Sequence, residues 1–149
     1  MNILFINGSP NKNGNTAALA AELLKGREYK TLNLTDYTIG AYGQNLPGDE
    51  LDTVINAMKQ ADTIVIGSPL YWHNICGSIR NVLDRFYGKV ESGELSGRKL
   101  YFVFQGAAPE KWMLEAGEYA IKRFAALYGM TYGGMTTYKT DAAKLGKNI

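Results

Sequence analysis

Met1-Asn2-Ile3-Leu4-Phe5-Ile6-Asn7-Gly8-Ser9-Pro10-Asn11-Lys12-Asn13-Gly14-Asn15-Thr16 opens the chain, and the change of character after Asn7 decides the fold. Asn2 to Asn7 is apolar and β-rich, the pattern of a strand buried on both faces. Gly8 to Thr16 is nearly all small or polar. Asn15 to Lys25 is then rich in alanine and leucine and reads as a helix, with Gly26 placed to end it. A buried strand passing through a glycine-bearing polar loop into a helix is the repeating unit of a parallel α/β sheet. The same loop suits an anion. Gly8 and Gly14 allow turns that other residues resist. Ser9, Asn11, Asn15 and Thr16 offer hydroxyl and amide donors, and the helix N-terminus adds unpaired N–H groups and a favourable dipole. A phosphate dianion is the expected guest. Taken alone, Asn13 or Asn15 also reads as a simple helix cap; the whole cluster favours phosphate.

The rest of the chain repeats the unit. Glu28 to Asn33 reads as a short, half-buried strand and Asp36 to Gly48 as a loop. Leu51, Val54, Ile55 and Met58 fall at i, i+3, i+4 and i+7, so Asp49 to Ala61 is an amphipathic helix with Asp49 as N-cap. Thr63 to Gly67 is a buried strand. Ile79, Val82, Leu83 and Phe86 make the stripe of a third helix, and Leu100 to Gln105 is another strand. Glu110 to Tyr128 is a long helix that Gly129 stops. Met130 to Tyr138 is a last strand, with Gly133-Gly134 as a bulge or close approach. The units follow one another as β-α five times without a closing helix. The expected architecture is a single α/β domain over residues 1–149, its parallel sheet covered on both faces. Ligands of such folds sit at the carboxyl ends of the strands, where strand order reverses. The loops after Asn7, Gly67 and Gln105 are therefore the places to look for function.

Composition narrows the classes. A chain of 149 residues buries about 68–70% of its unfolded surface and needs no disulfide or structural metal. Cys76 is the only cysteine and His73 the only histidine, so no Cys/His cluster for zinc is expected. The lack of cysteine pairs suits a reducing cytoplasm. The N-terminus has no basic and apolar signal pattern, and no apolar run approaches the ~20 residues of a membrane span. The net charge is +2, with basic residues scattered rather than striped among aromatics, so no nucleic-acid partner is expected. It also disfavours a dedicated electron carrier, which would present an acidic docking face.

The first loop lacks the Gly-Lys-Ser/Thr ending of a nucleoside triphosphatase and the G-x-G-x-x-G spacing of a dinucleotide fold. It has no cysteine to serve as a phosphatase nucleophile. The second loop, Gly67-Ser68-Pro69-Leu70-Tyr71-Trp72-His73-Asn74, puts two aromatics after a buried strand. They would wall a flat ligand whose ring edges the loop's N–H groups could bond; the other reading is core or interface packing. The third loop, Gln105-Gly106-Ala107-Ala108-Pro109, is small enough to lie against a ligand's edge.

Gly8-Ser9-Pro10, Gly14-Asn15-Thr16, Ala61-Asp62, Gly67-Ser68-Pro69-Leu70-Tyr71-Trp72 and Asp84-Arg85 together resemble the NAD(P)H-dependent FMN reductase family. The branch they resemble is the flavodoxin-like one that includes iron–sulfur flavoproteins. The resemblance covers essentially the whole chain. It implies a five-stranded parallel sheet in the order 2-1-3-4-5 and noncovalent FMN. It puts the phosphate on Ser9, Asn11, Asn15 and Thr16, with Pro10 in the same loop. It lays the flavin ring along Pro69, Leu70, Tyr71, Trp72 and His73, with Gln105 and Gly106 at the other edge. It also implies a homodimer in which an aromatic lip of Tyr71, Trp72 and Tyr42, with a second subunit, covers the flavin. Iron–sulfur members carry a cysteine cluster before the second helix. Here that region reads Thr38-Ile39-Gly40-Ala41-Tyr42-Gly43-Gln44, so no cluster is expected.

The reaction implied is hydride transfer from NADH or NADPH to the flavin, then to a small acceptor: a quinone, a nitro or azo compound, or free flavin. The alternative is a one-electron carrier serving a protein partner. His73 reads as a proton donor or as a solvated loop residue, and Cys76 as a redox thiol or a small packed residue. Asp84 and Arg85 do not face each other on a helix and so pair with neighbouring elements. Tyr128, Tyr132 and Tyr138 read as packing.

Overall fold

The computed structural model describes residues 1–149. Strand β1 (Ile3–Asn7) is followed by helix α1 (Asn15–Leu23) and by strand β2 (Lys30–Asn33), which pairs with β1 in parallel. Helix α2 (Leu51–Gln60) leads into β3 (Thr63–Tyr71), the parallel neighbour of β1 on its other side. At Tyr71 the chain turns back through a two-residue antiparallel strand, β4 (Asn74–Ile75), before helix α3 (Gly77–Phe86). Strand β5 (Lys99–Gln105), helix α4 (Lys111–Tyr128) and strand β6 (Thr131–Thr136) follow, and helix α5 (Lys139–Leu145) comes last. The order across the sheet is β2-β1-β3-β5-β6. The parallel part therefore has the five strands and the 2-1-3-4-5 sequence expected, a flavodoxin-like arrangement.

Two elements differ from the sequence reading. The strand expected to stop at Gly67 runs on to Tyr71, and β4 makes a sixth strand. Pro69 reads as a strand end because it has no N–H to donate. Its place is where the ladder to β5 finishes, at Pro69 opposite Gln105, and the pairing with β4 begins, at Leu70. The closing helix α5 was not expected. Its only buried residue is Ala142, and seven residues with one buried position carry no readable period.

The strands looked continuously apolar because both faces are covered. Side chains alternate across a strand. Ile3, Phe5, Val65, Tyr101 and Val103 pack with Leu19, Ala20 and Leu23 of α1 and Ala142 of α5. Leu4, Ile6, Ile64, Ile66, Leu100, Phe102 and Phe104 pack under α2, α3 and α4. On that second face Phe86, Phe124 and Tyr128 meet edge to face, with centroids 4.9–5.2 Å apart. Of the three tyrosines assigned to packing, Tyr128 is buried and Tyr132 half-buried, but Tyr138 is exposed. The glycine pair behaves as read. The β5–β6 register passes from Leu100–Tyr132 to Tyr101–Gly134, and a Cβ on Gly133 would fall 2.3 Å from the Tyr101 ring. Gly129 ends α4 in the left-handed conformation.

Candidate functional site

Strands β1, β3 and β5 are neighbours, so the three loops named from the sequence emerge side by side at their carboxyl ends. Gly8 N–H donates to the Gly67 carbonyl at 2.8 Å, joining the first loop to β3. The Ser78 hydroxyl, at the start of α3, donates to the Gly8 carbonyl at 2.7 Å. The Gln105 side-chain amide donates to Thr16 Oγ1 at 3.0 Å. Gly106 lies so close to Leu70 that a Cβ there would be 3.0 Å from the Leu70 Cβ. Strand order reverses between β1 and β3, where such folds take their ligands.

Within the first loop, polar side chains set the backbone. Asn7 is fully buried; its carbonyl oxygen accepts from Ser9 N–H and its amide donates to Asn33. Ser9 Oγ accepts from Asn11 N–H, and Asn11 Oδ1 accepts from Asn13 N–H, each at 3.1 Å. The N-cap of α1 is Gly14, and no side chain caps it. Neither Asn13 nor Asn15 is therefore a helix cap, and the first-turn N–H groups point into the loop without a side-chain acceptor. Thr16 is buried and Ser9 nearly so. The one charge in the loop, Lys12, is paired with Asp36. Neutral hydroxyl and N–H donors around an uncapped helix end form a set that fits a flavin phosphate.

The second loop is a hairpin with a two-residue turn. Trp72 and His73 have φ of 46° and 66°, both left-handed, between the paired residues Tyr71 and Asn74. Two-residue hairpin turns demand this backbone and usually take Asn-Gly. Residues with a Cβ adopt it at a cost of roughly 1–2 kcal/mol each. The turn lifts Trp72 to 92% exposure. Its indole lies 5.8 Å from the His73 ring, and His73 lies 5.5 Å from Trp112. Trp112, on the first turn of α4, is absent from the sequence reading. The signal was available: it stands one residue off the buried stripe of Met113, Gly117 and Ile121.

Other residues settle into different roles. Cys76 is buried, its N–H bonded to Ser68 Oγ and its sulfur 3.5 Å from the Gly8 carbonyl. It is a packed residue beneath the first loop. Tyr42 was expected beside Tyr71 and Trp72; it stands instead with Tyr87, 6.0 Å away, at a groove of about 600 Å³ between α3 and α4. The loop that carries it is pinned by Arg85, which donates to both carboxylate oxygens of Asp49 and to the Gly40 carbonyl. Asp49 also accepts from Leu51 N–H at the start of α2. The Arg85 hydrogen bond, with N–H donors from Gly40 and Leu51, holds the Asp49 carboxyl well below the usual carboxylate range. Asp49 in turn raises Arg85. A cavity of about 520 Å³ at Met1, Asn2, Tyr29 and Gln60 lies at the amino ends of the strands. It is away from all three loops and has no comparable donor cluster.

Comparison with known proteins identifies the family and the fold. The profile of a family described as NADPH-dependent FMN reductase matches residues 1–139. An iron–sulfur flavoprotein of Archaeoglobus fulgidus is 37% identical over 97 residues, covering 57% of this chain and 48% of that protein. An iron–sulfur flavoprotein of Methanocaldococcus jannaschii is 30% identical over 99 residues, covering 57% and 51%. The chain spans about half the length of the curated relatives it matches. Among solved structures, the Trp repressor binding protein from Bacillus subtilis superposes with a TM-score of 0.78 at 18% identity, covering 96% of this chain and 98% of that one. An FMN-dependent NADH-azoreductase from Bacillus anthracis in complex with FMN superposes at 0.69 with 16% identity, covering 99% and 95%. At such identities these likenesses speak for the fold alone. The profile match over residues 1–139 decides the family: this chain belongs to the family described as NADPH-dependent FMN reductase.

Proposed function

We propose that this chain is an NAD(P)H-dependent flavin oxidoreductase that reduces a small acceptor such as a quinone, a nitro or azo compound, or free flavin. The observation that carries the reading is the convergence of three loops at the β1/β3 switch, one rich in phosphate donors and one rich in aromatics. FMN held there would supply the redox chemistry, that of hydride acceptance and electron donation.

The chain's own residues bind and orient. Ser9, Asn11, Asn15, Thr16 and the open N-terminus of α1 hold the phosphate, and Pro10 shapes the loop. Pro69, Leu70, Tyr71, Trp72 and His73 line one edge of the ring; Gln105 and Gly106 line the other. Backbone N–H groups of the second and third loops would donate to the ring edges. No acid–base side chain is required, and His73 is the only imidazole at hand. No helix of the chain is long and apolar enough to cross a membrane.

Anaerobic mixing of the FMN-loaded protein with NADH and with NADPH, followed by an acceptor panel, tests the reading. Loss of the flavin's visible absorbance with at least one nucleotide, and its recovery with acceptor, is the expected result. A flavin that neither nucleotide reduces, but that exchanges single electrons with a protein partner, would make the chain a carrier instead.

A further inference from the structure

We infer that Trp112 is the residue that selects the electron acceptor, forming with the β3–β4 hairpin an exposed aromatic face for a flat molecule; this rests on the reading of the three loops as the flavin site. Trp112 has no place in the core. It lies off the buried stripe of α4 and is about half exposed. Its indole N–H donates to Glu110 Oε2 at 2.7 Å, two residues back, which sets the ring's direction without help from the fold. Its ring lies 5.5 Å from His73, and the Trp72 ring is 5.8 Å from His73 on the hairpin. Three rings thus stand in a row on the rim, two carried by the hairpin and one by the first turn of α4, with His73 between the two indoles. Water gains nothing from two exposed indoles, whereas a planar π-system gains both burial and offset or edge contacts. A compact inorganic ion gains neither, and the Glu110 carboxylate beside Trp112 opposes anions. The face therefore fits a flat, neutral ring system such as a two-ring quinone.

The test separates this from the underlying reading by omitting the nicotinamide. FMN-loaded protein is photoreduced and mixed with either menadione, a flat quinone, or ferricyanide, which has no ring. Trp112→Ala should raise the half-saturating menadione concentration about tenfold, the scale of a lost aromatic contact. Its limiting rate should change less than threefold, and the menadione-to-ferricyanide preference should fall accordingly. Trp112→Phe should recover most of the loss. Equal effects on both oxidants, no effect on either, or loss of FMN from Trp112→Ala would overturn the assignment. Wild-type protein that reacts with menadione as described but is not reduced by NADH or NADPH would sink the proposed activity and leave this role of Trp112 standing.

Discussion

Gln105, the last residue of β5, donates its side-chain amide to Thr16 Oγ1 on the first turn of α1 across 89 residues of sequence. The two strands that carry these loops are not neighbours, since β3 lies between them. A hydroxyl has one proton and two lone pairs. By accepting from Gln105, Thr16 has its own proton left to aim elsewhere in the loop. Gln105→Ala should therefore weaken FMN about threefold to tenfold, the worth of one neutral hydrogen bond. Riboflavin, which lacks the phosphate, should lose less. Calorimetric titration of both ligands checks this, and equal losses would place the effect at the ring instead.

The proposed phosphate donors can be removed directly. Ser9→Ala combined with Thr16→Ala should keep the fold and lower FMN affinity by at least about tenfold, since hydrogen bonds to a charged group are worth about 1.5–3 kcal/mol each. Far-ultraviolet circular dichroism and flavin titration give the two readouts. Unchanged affinity would move the phosphate away from this loop.

The Asp49–Arg85 pair ties the Tyr42 loop to α3, with both side chains about 15% exposed. Asp49 is held below its ordinary value of 3.8, so the folded state prefers the ionised form. That stability is fully present above the unfolded value and disappears as pH falls through the lower folded value. Asp49→Asn should cost about 1.5–3 kcal/mol at pH 7, and the gap from wild type should narrow steadily below about pH 4. Urea unfolding across pH 7 to pH 2 measures it; a gap that is constant with pH would deny the pair its role.

The hairpin stores strain that substitution can release. Trp72→Asn with His73→Gly supplies the residues a two-residue turn prefers. Stability should rise by about 1–3 kcal/mol, seen as a higher melting temperature, while quinone reduction falls because the rim has lost two rings. A melting temperature that does not rise would mean the turn is held without strain.

Trp72 at 92% and Tyr71 at 51% exposure present apolar surface of the kind that a partner usually covers. We expect a homodimer that uses the hairpin, and expect Trp72→Glu to shift it toward monomer. Light scattering at micromolar concentration decides; a monomeric wild type with flavin bound would contradict it.

Local chemistry written into the sequence determined a good deal of this protein. Alternation and helical period placed the five parallel strands and four of the helices. Gly129 stops α4, and Gly133-Gly134 makes room for Tyr101, because these conformations and contacts exclude a side chain. The three candidate loops were legible because a parallel sheet delivers its loops to one edge. Helix α5 was not, because a single buried alanine leaves no pattern. Nor was the hairpin, since Trp-His is a poor match to the turn it makes and the strain is held by pairing on both sides. Only the tertiary structure decided which distant residues meet: Gln105 with Thr16, Arg85 with Asp49 across 36 residues, and Trp112 with His73. Periodicity reports which face of an element is buried. It holds no information about which neighbour lies opposite, because that follows from how the elements cross and from the volumes of the side chains between them.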